Sequence, residues 1–463
     1  MTATTPQSRQ APRPAGSARR TTYRSVFAAG EFRVLFAAML MYVLGFEFEI
    51  LGLSVLVYAQ TRSAFWTALA FGMGFAPQAI GGALFISLAD RLPPRAVIAV
   101  GLLTRAAPGL VIGLWPALPV PVMLTLVAVA ATVAPVFSAA LSGVLPDVLD
   151  GDRFVLGRSV FSLTGSATQI IGLGIGGAIL AALPAQRLLL AAGLSLLAAA
   201  VIVRLGLRPR AARSPGPAAR GIVRATVSGN IELLADRIVR GLLLAQWLPA
   251  WFVTGAESVI VPYAGSLGQP PSAASPLLAA VPAGMLLGDV IVGRFCRPRA
   301  RQRLAFPLAA LMGVPLLAFA FRPPLPVAGT ALFACGFGIA YAIGIQQAFL
   351  DSLPTGLRGQ AFGLNSTGMM TGQGLLPPAA GGLASAFGAG AAMAIAGAAT
   401  IVAALFLRGP LTGRPAGQPG RPGNERLVHL RYWRPLSTGI IRVAVAWFHE
   451  RGHRPALTSG YAA

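Results

Sequence analysis

Thr164-Gly165-Ser166-Ala167-Thr168-Gln169-Ile170-Ile171-Gly172-Leu173-Gly174-Ile175-Gly176-Gly177 decides how this chain is read, because its landmarks return further on. The later stretch is Thr367-Gly368-Met369-Met370-Thr371-Gly372-Gln373-Gly374-Leu375-Leu376-Pro377-Pro378-Ala379-Ala380-Gly381-Gly382. The Thr-Gly-x-x-Thr core recurs after 203 residues and the closing glycine pair after 205. Working outward, Pro77 recurs as Pro282, also 205 later, and Glu49 has a counterpart 208 later in Glu257. One such match means little in a chain rich in Gly, Pro and Ala. Four at offsets between 203 and 208 point to a six-helix unit written twice, with a substrate site at the interface of the halves.

Composition agrees with a membrane chain. The 463 residues are 55% hydrophobic and 11% charged, against about 25% charged in soluble domains. A formal charge of +23 would suit a nucleic-acid binder. The arginines, however, fall between apolar segments, where they set topology, so no nucleic-acid partner is expected. Lys is absent from the sequence. That excludes a Walker A phosphate loop, and with it direct ATP drive, as well as Schiff-base chemistry. Cys296 and Cys335 lie far apart and suggest neither a disulfide nor a metal site. The histidines, His429, His449 and His453, all fall near the C-terminus. Neither cofactor nor metal is expected, and the chain does not read as an enzyme.

A spanning helix needs about 20 apolar residues. Twelve such segments are expected, at 32–58, 65–89, 96–115, 119–145, 158–183, 187–207, 239–264, 275–294, 305–321, 325–350, 361–384 and 388–407. The fold class is therefore all-α, with twelve transmembrane helices in two pseudo-symmetric six-helix bundles. Residues 1–24 read as a disordered arm, 25–207 and 239–407 as the two bundles, 208–238 as a linker and 408–463 as a tail. The first apolar segment lacks a small-residue cleavage site, so it reads as a retained helix. One set of connections carries Arg91, Arg95, Arg153, Arg158, the run from Arg208 to Arg240, Arg294 to Arg303, and Arg358. The other set carries only Arg62, Arg187 and Arg322. Basic loops stay inside, which places both termini in the cytoplasm. Arginine-only basicity with abundant Ala, Gly and Pro suggests a GC-rich bacterial genome, hence a cytoplasmic (inner) membrane.

Several motifs carry a resemblance. Ala89-Asp90-Arg91-Leu92-Pro93-Pro94-Arg95, between the second and third segments, resembles the loop signature of the major facilitator superfamily, Gly-x-x-x-Asp-Arg-x-Gly-Arg-Arg. Asp90, Arg91 and Arg95 match; Ile86, Pro93 and Pro94 depart from it. Gly172-Leu173-Gly174-Ile175-Gly176-Gly177 resembles the antiporter signature Gly-Pro-x-x-Gly-Gly with Leu173 in the proline position. Pro377-Pro378-Ala379-Ala380-Gly381-Gly382 keeps the proline as Pro378 and loses the first glycine. Glycines let helices approach closely and proline bends them. The resemblance spans about residues 30 to 408 and is closest to the twelve-helix drug-exporter-like branch. It implies a gating loop at Asp90, Arg91 and Arg95, and export of hydrophobic or amphipathic compounds in exchange for protons.

Charges within the apolar segments mark the candidate site. A charge at a helix centre costs about 2.5–3.5 kcal/mol on insertion, yet Glu47, Glu49, Arg105, Glu257 and Asp289 are kept. Glu47 and Glu49 point about 200° apart around one helix, so only one can face the interface squarely. Glu49, in register with Glu257, is the first choice, with Arg105 pairing with either glutamate. Gln169 and Gln373 follow the repeated Thr-Gly motif and are expected at the seam, while Gln78, Gln246 and Asn365 could line the path. Tyr42, Trp66, Trp247 and Trp251 could stack on a flat substrate or serve as packing. Asp289 and Arg294 are expected as a gate-side charge cluster. The expected partners are a small-molecule substrate, protons and lipid, and the expected state is a monomer. A nutrient carrier and a transport-inactive sensor remain the alternatives.

Overall fold

The computed structural model describes residues 22–85, 92–115, 117–212, 220–354 and 357–412. The expected N-terminal arm, the 86–91 part of the loop signature with Asp90 and Arg91, and the tail beyond 412 lie outside the described residues.

Ten helices among the described residues are long and apolar enough to cross a membrane. In the first half these are α1 (Gly30–Thr61), α3 (Pro94–Leu114), α4 (Val120–Val148), α5 (Asp152–Ala182) and α6 (Ala185–Gly206). In the second half they are α7 (Arg237–Ser266), α8 (Pro271–Phe295), α9 (Pro298–Phe321), α10 (Leu325–Ser352) and α12 (Ala389–Phe406). Two more complete the set of twelve. Helix α2 comes in two pieces, Ala64–Gly72 and Ala76–Phe85, and α11 (Arg358–Phe387) carries polar residues along its length. No strand occurs among the described residues.

The ends extend past the apolar cores read from the sequence. Helix α5 begins at Asp152 instead of 158, and α9 at Pro298 instead of 305. Charged residues continue a helix once it leaves lipid, so an apolar count marks the membrane's thickness and not the helix's length. Four breaks fall beside prolines, α2 at 73–75 before Pro77, α4 at Val133 before Pro135, α7 at Val259 before Pro262 and α9 at Val314 before Pro315, while α10 breaks at Ile339–Ala340 with no proline beside it. Proline lacks the N–H of the i to i−4 bond and crowds the preceding turn.

Within the first half α1 is the central helix, held between α5 and α6. Gly45 and Gly52 let α6 approach through Leu196 and Leu189, while Gly172 and Gly176 of α5 lie against Glu47 and Leu51. In the second half α7 packs on α11, α12 and α10. The halves meet along two seams, α2 with α11 and α5 with α8. Residues Arg220–Ala235 form a further helix before α7. It docks on the start of α11, where Gln360 Nε2 donates to Asn230 Oδ1 at 3.0 Å.

Candidate functional site

The two neighbouring glutamates of α1 have different partners. Glu49 Oε1 lies 3.3 Å from Arg105 Nη2, and both side chains are almost wholly buried. The guanidinium also sits over the Phe46 ring, 5.6 Å from its centroid, and Tyr42 is close enough to interact with the pair. Arg105 Nε and Nη1 and Glu49 Oε2 have no hydrogen-bond partner among the described residues. This pair ties α1 to α3 inside the first half.

Glu47 faces elsewhere. Its Cβ and Cγ pack on Gly172, and its carboxyl accepts a hydrogen bond from the side chain of Gln169, three residues before that glycine on α5. The acidic group acting on it through space is Glu257 of the other half. Among the described residues neither Glu47 nor Glu257 has an ion-pair partner. Glu49, ranked first from its register with Glu257, is thus the glutamate that Arg105 neutralises. Register reports depth, and a two-residue step changes depth by only about 3 Å while swinging the side chain by about 200°.

On α7, Gln246 and Glu257 are eleven residues apart, about three turns, and share one face. Asn365 of α11 donates through Nδ2 to Gln246 Oε1 at 3.1 Å. Trp247 Nε1 donates in turn to Asn365 O at 3.0 Å and Oδ1 at 2.9 Å. Gln373 Oε1 is buried with no partner among the described residues. Pro249 cannot supply the N–H that Ala245 O would accept in a regular helix. The Tyr341 hydroxyl of α10 supplies a donor instead, at 2.8 Å. Nothing in the sequence marked Tyr341, because its task is visible only once α10 lies beside the gap left by Pro249.

Among the described residues, the closest contacts across the seams involve glycines. Gly72 of α2 lies on Gly374 O and Pro377 of α11, and Gly374 on Ala76. Gly381 lies on Ala68 and Phe65, and Gly177 of α5 on Ser275 of α8, whose hydroxyl donates to Leu173 O. Tyr58 of α1 reaches Gly265 of α7. The contacts of Gly177, Gly381 and Tyr58 lie toward the arginine-poor ends, and that of Gly72, Gly374 and Ala76 lies near mid-helix. Each repeated pair thus puts one glycine on a seam, but not the corresponding one: Gly177 lies on α8, and it is Gly381, the counterpart of Gly176, that lies on α2. Gly176 instead packs on α1, and Gly382 has nothing within 4 Å of an added Cβ. Pro378 frees the carbonyl of Gly374, the group that Gly72 approaches. Toward the arginine-rich end α11 is loosely packed. Between Arg358 and Met370 its only buried residue is Ala361, and Gly359 and Gly363 have open space.

The remaining loop residues divide. Arg95 Nη2 donates to Arg204 O at the end of α6, a contact within its own half. Asp289 and Arg294 are both exposed, and no ion pair joins them among the described residues, so the structure does not assemble the expected cluster. Arg301 does the bonding there instead, donating from Nε to Cys296 O at 2.9 Å and from Nη2 to Gly293 O at 2.5 Å. The acceptors are end-of-helix carbonyls, which lack intrahelical donors.

With this geometry in hand, residues 26–357 match the family model described as Major Facilitator Superfamily. The chain belongs to the Major Facilitator Superfamily. Its fold is shared with a bacterial homolog of the human lysosomal transporter Spinster in an inward-facing, unoccupied conformation. That match has TM-score 0.62 and 17% identity, over 86% of this chain and 96% of that one. A POT family transporter in complex with 5-aminolevulinic acid gives TM-score 0.64 at 13% identity, over 82% and 95% of the two chains. A point mutant of the nucleoside transporter NupG gives 0.61 at 12%, over 82% and 99%. No curated protein matches by sequence. As a superfamily member the chain is a multi-pass membrane protein built for secondary transport, a transporter rather than an enzyme.

Proposed function

We propose that this chain is a proton-coupled exporter of hydrophobic or amphipathic small molecules, neutral or cationic, of the drug-exporter-like kind. It works by alternating access of α1–α6 against α7–α12 in the bacterial inner membrane, as a monomer with both termini cytoplasmic. The observation that carries the reading is the sorting of the buried acids. Arg105 pairs with Glu49, which leaves Glu47 and Glu257, close enough to act on each other across the halves, with no ion-pair partner among the described residues. A site lined by two carboxyls and amides favours cations and disfavours anions. A carboxyl exposed first to one side and then to the other can load a proton on the first and release it on the second.

Basic connections stay in the cytoplasm, so the loosely packed, arginine-rich end is the cytoplasmic one. On this reading the cavity opens inward, and Gly72, Gly374, Gly381 and Ser275 belong to the outer seal. One proton moving through 100 mV supplies about 2.3 kcal/mol, enough for roughly a 50-fold gradient.

Everted vesicles from cells stripped of their own exporters test the reading, with a panel of hydrophobic cations as probes. Accumulation should depend on the chain and collapse with a protonophore. Accumulation that survives the protonophore refutes proton coupling. Accumulation confined to right-side-out vesicles refutes the direction and favours uptake.

A further inference from the structure

Trp247 and Trp251 stand one turn apart on α7 with their rings 5.9 Å apart and within 6° of parallel. Glycines of α11 make room for them. A Cβ on Gly368 would lie 2.3 Å from the Trp247 ring, and one on Gly372 would lie 2.0 Å from Trp251. The indoles therefore lie directly on the α11 backbone at the corner where α7 and α11 border the seam. Trp247 is buried and its N–H is satisfied by Asn365. Trp251 differs in two respects. Its ring stays partly exposed, and its buried Nε1–H has no partner among the described residues.

A buried donor left unpaired is retained at a real penalty. A tryptophan serving only to fill the α7–α11 contact gains nothing from it, since phenylalanine would pack without an orphaned donor. The nearby Gln373, next in sequence to Gly372, holds a buried acceptor that is likewise unpaired. Parallel indoles bind flat π-systems and cations on their faces. The amide chain from Trp247 through Asn365 to Gln246 connects this corner to the helix face that carries Glu257.

We propose that the Trp247–Trp251 pair is a stacking subsite for a flat aromatic cation. Trp251 Nε1–H donates to an acceptor on its ring system, and Gln373 Oε1 accepts from an N–H. This deepens the transport reading and rests on it for the direction of movement, but it is tested by binding alone. Sequence alone left these tryptophans undecided between stacking and packing; the unpaired N–H and the glycine bed favour stacking.

The test uses the full chain in nanodiscs with no gradient. Rhodamine 6G is a planar cation with both N–H donors and oxygen acceptors, and its anisotropy reports binding. Tetraphenylphosphonium, a cation of similar hydrophobicity that is not flat, is the comparator, read by its quenching of intrinsic fluorescence. Given what a stacked aromatic platform contributes per ring, Trp251→Leu should weaken rhodamine 6G by about 5- to 150-fold. Trp251→Phe keeps a ring and loses the donor, and should weaken it by about three- to fivefold with unchanged thermal stability. Gly372→Ala should also weaken it, by displacing the indole. Tetraphenylphosphonium should be indifferent to all three changes. Wild-type affinity for rhodamine 6G in Trp251→Leu overturns the proposal, as does equal loss of both cations. Absence of rhodamine 6G binding by the wild-type chain overturns it too, while leaving proton coupling through Glu47 and Glu257 untouched.

Discussion

Replacing Gly374 by alanine should shift the transporter away from the state seen here. An added Cβ would sit 2.2 Å from Ala76 Cβ and 2.4 Å from Ala76 Cα across the α2–α11 seam. Carbon atoms make ordinary contact at about 3.5–4.0 Å, and the obstacle includes backbone, so the helices must part by about 1 Å or more. Overpacking of this kind costs about 1–3 kcal/mol. On the proposed mechanism the strain exists only while this seam is shut, so it acts on the equilibrium between the two access states. At about 1.4 kcal/mol per factor of ten, the outer-open population should rise by about 5-fold to 150-fold relative to the outer-closed one. Gly382→Ala is the matched control, because nothing lies within 4 Å of its added Cβ. Spin labels at the exposed outer positions Gln60 and Ala386 report the separation of α1 from α11, with Cys296 and Cys335 replaced by alanine. Pulsed dipolar spectroscopy in nanodiscs should show a longer distance gaining weight in G374A and not in G382A. Identical distributions for the two variants would refute the reasoning.

Further outcomes follow from the packing. Arg105→Leu leaves Glu49 as a buried, unpaired charge and should lower stability by about 3–5 kcal/mol; the double change with Glu49→Leu should recover most of it, read as thermal melting in detergent. Tyr341→Phe removes the donor that serves the carbonyl freed by Pro249, and should cost about 1–3 kcal/mol by the same measurement. Arg210→Gln breaks a 2.8 Å pair with Glu31 whose side chains are 23% and 19% exposed. Solvent screening limits such a pair to about 0–1 kcal/mol, so its melting temperature should barely move.

Much of the fold was legible because lipid imposes a length and a composition on every crossing. The twelve segments read from apolar runs all correspond to helices, including α2 and α11, whose crossings are broken or polar. Pairing was harder to read. That Glu47 and Glu49 must point apart follows from helical geometry, but which one meets Arg105 depends on how α3 packs on α1, and no periodicity encodes that. The repeated glycine pairs announced close helix contact without saying which partner each glycine meets. Gly177 and Gly381 found the seam, whereas Gly176 faces α1 within its own half. Arg301 and Tyr341 were invisible for a common reason: each satisfies carbonyls of another helix, a need created by folding itself.

Proton flux in proteoliposomes tests the central claim most directly. The full chain is reconstituted with an entrapped pH indicator, and hydrophobic cations are added with and without an imposed pH gradient. The wild-type chain should move protons against cation, and Glu49→Gln should keep some gradient-driven exchange. The double variant Glu47→Gln/Glu257→Gln should lose all proton movement while still equilibrating cation down its own gradient. Gradient-driven uphill transport by that double variant would contradict the account.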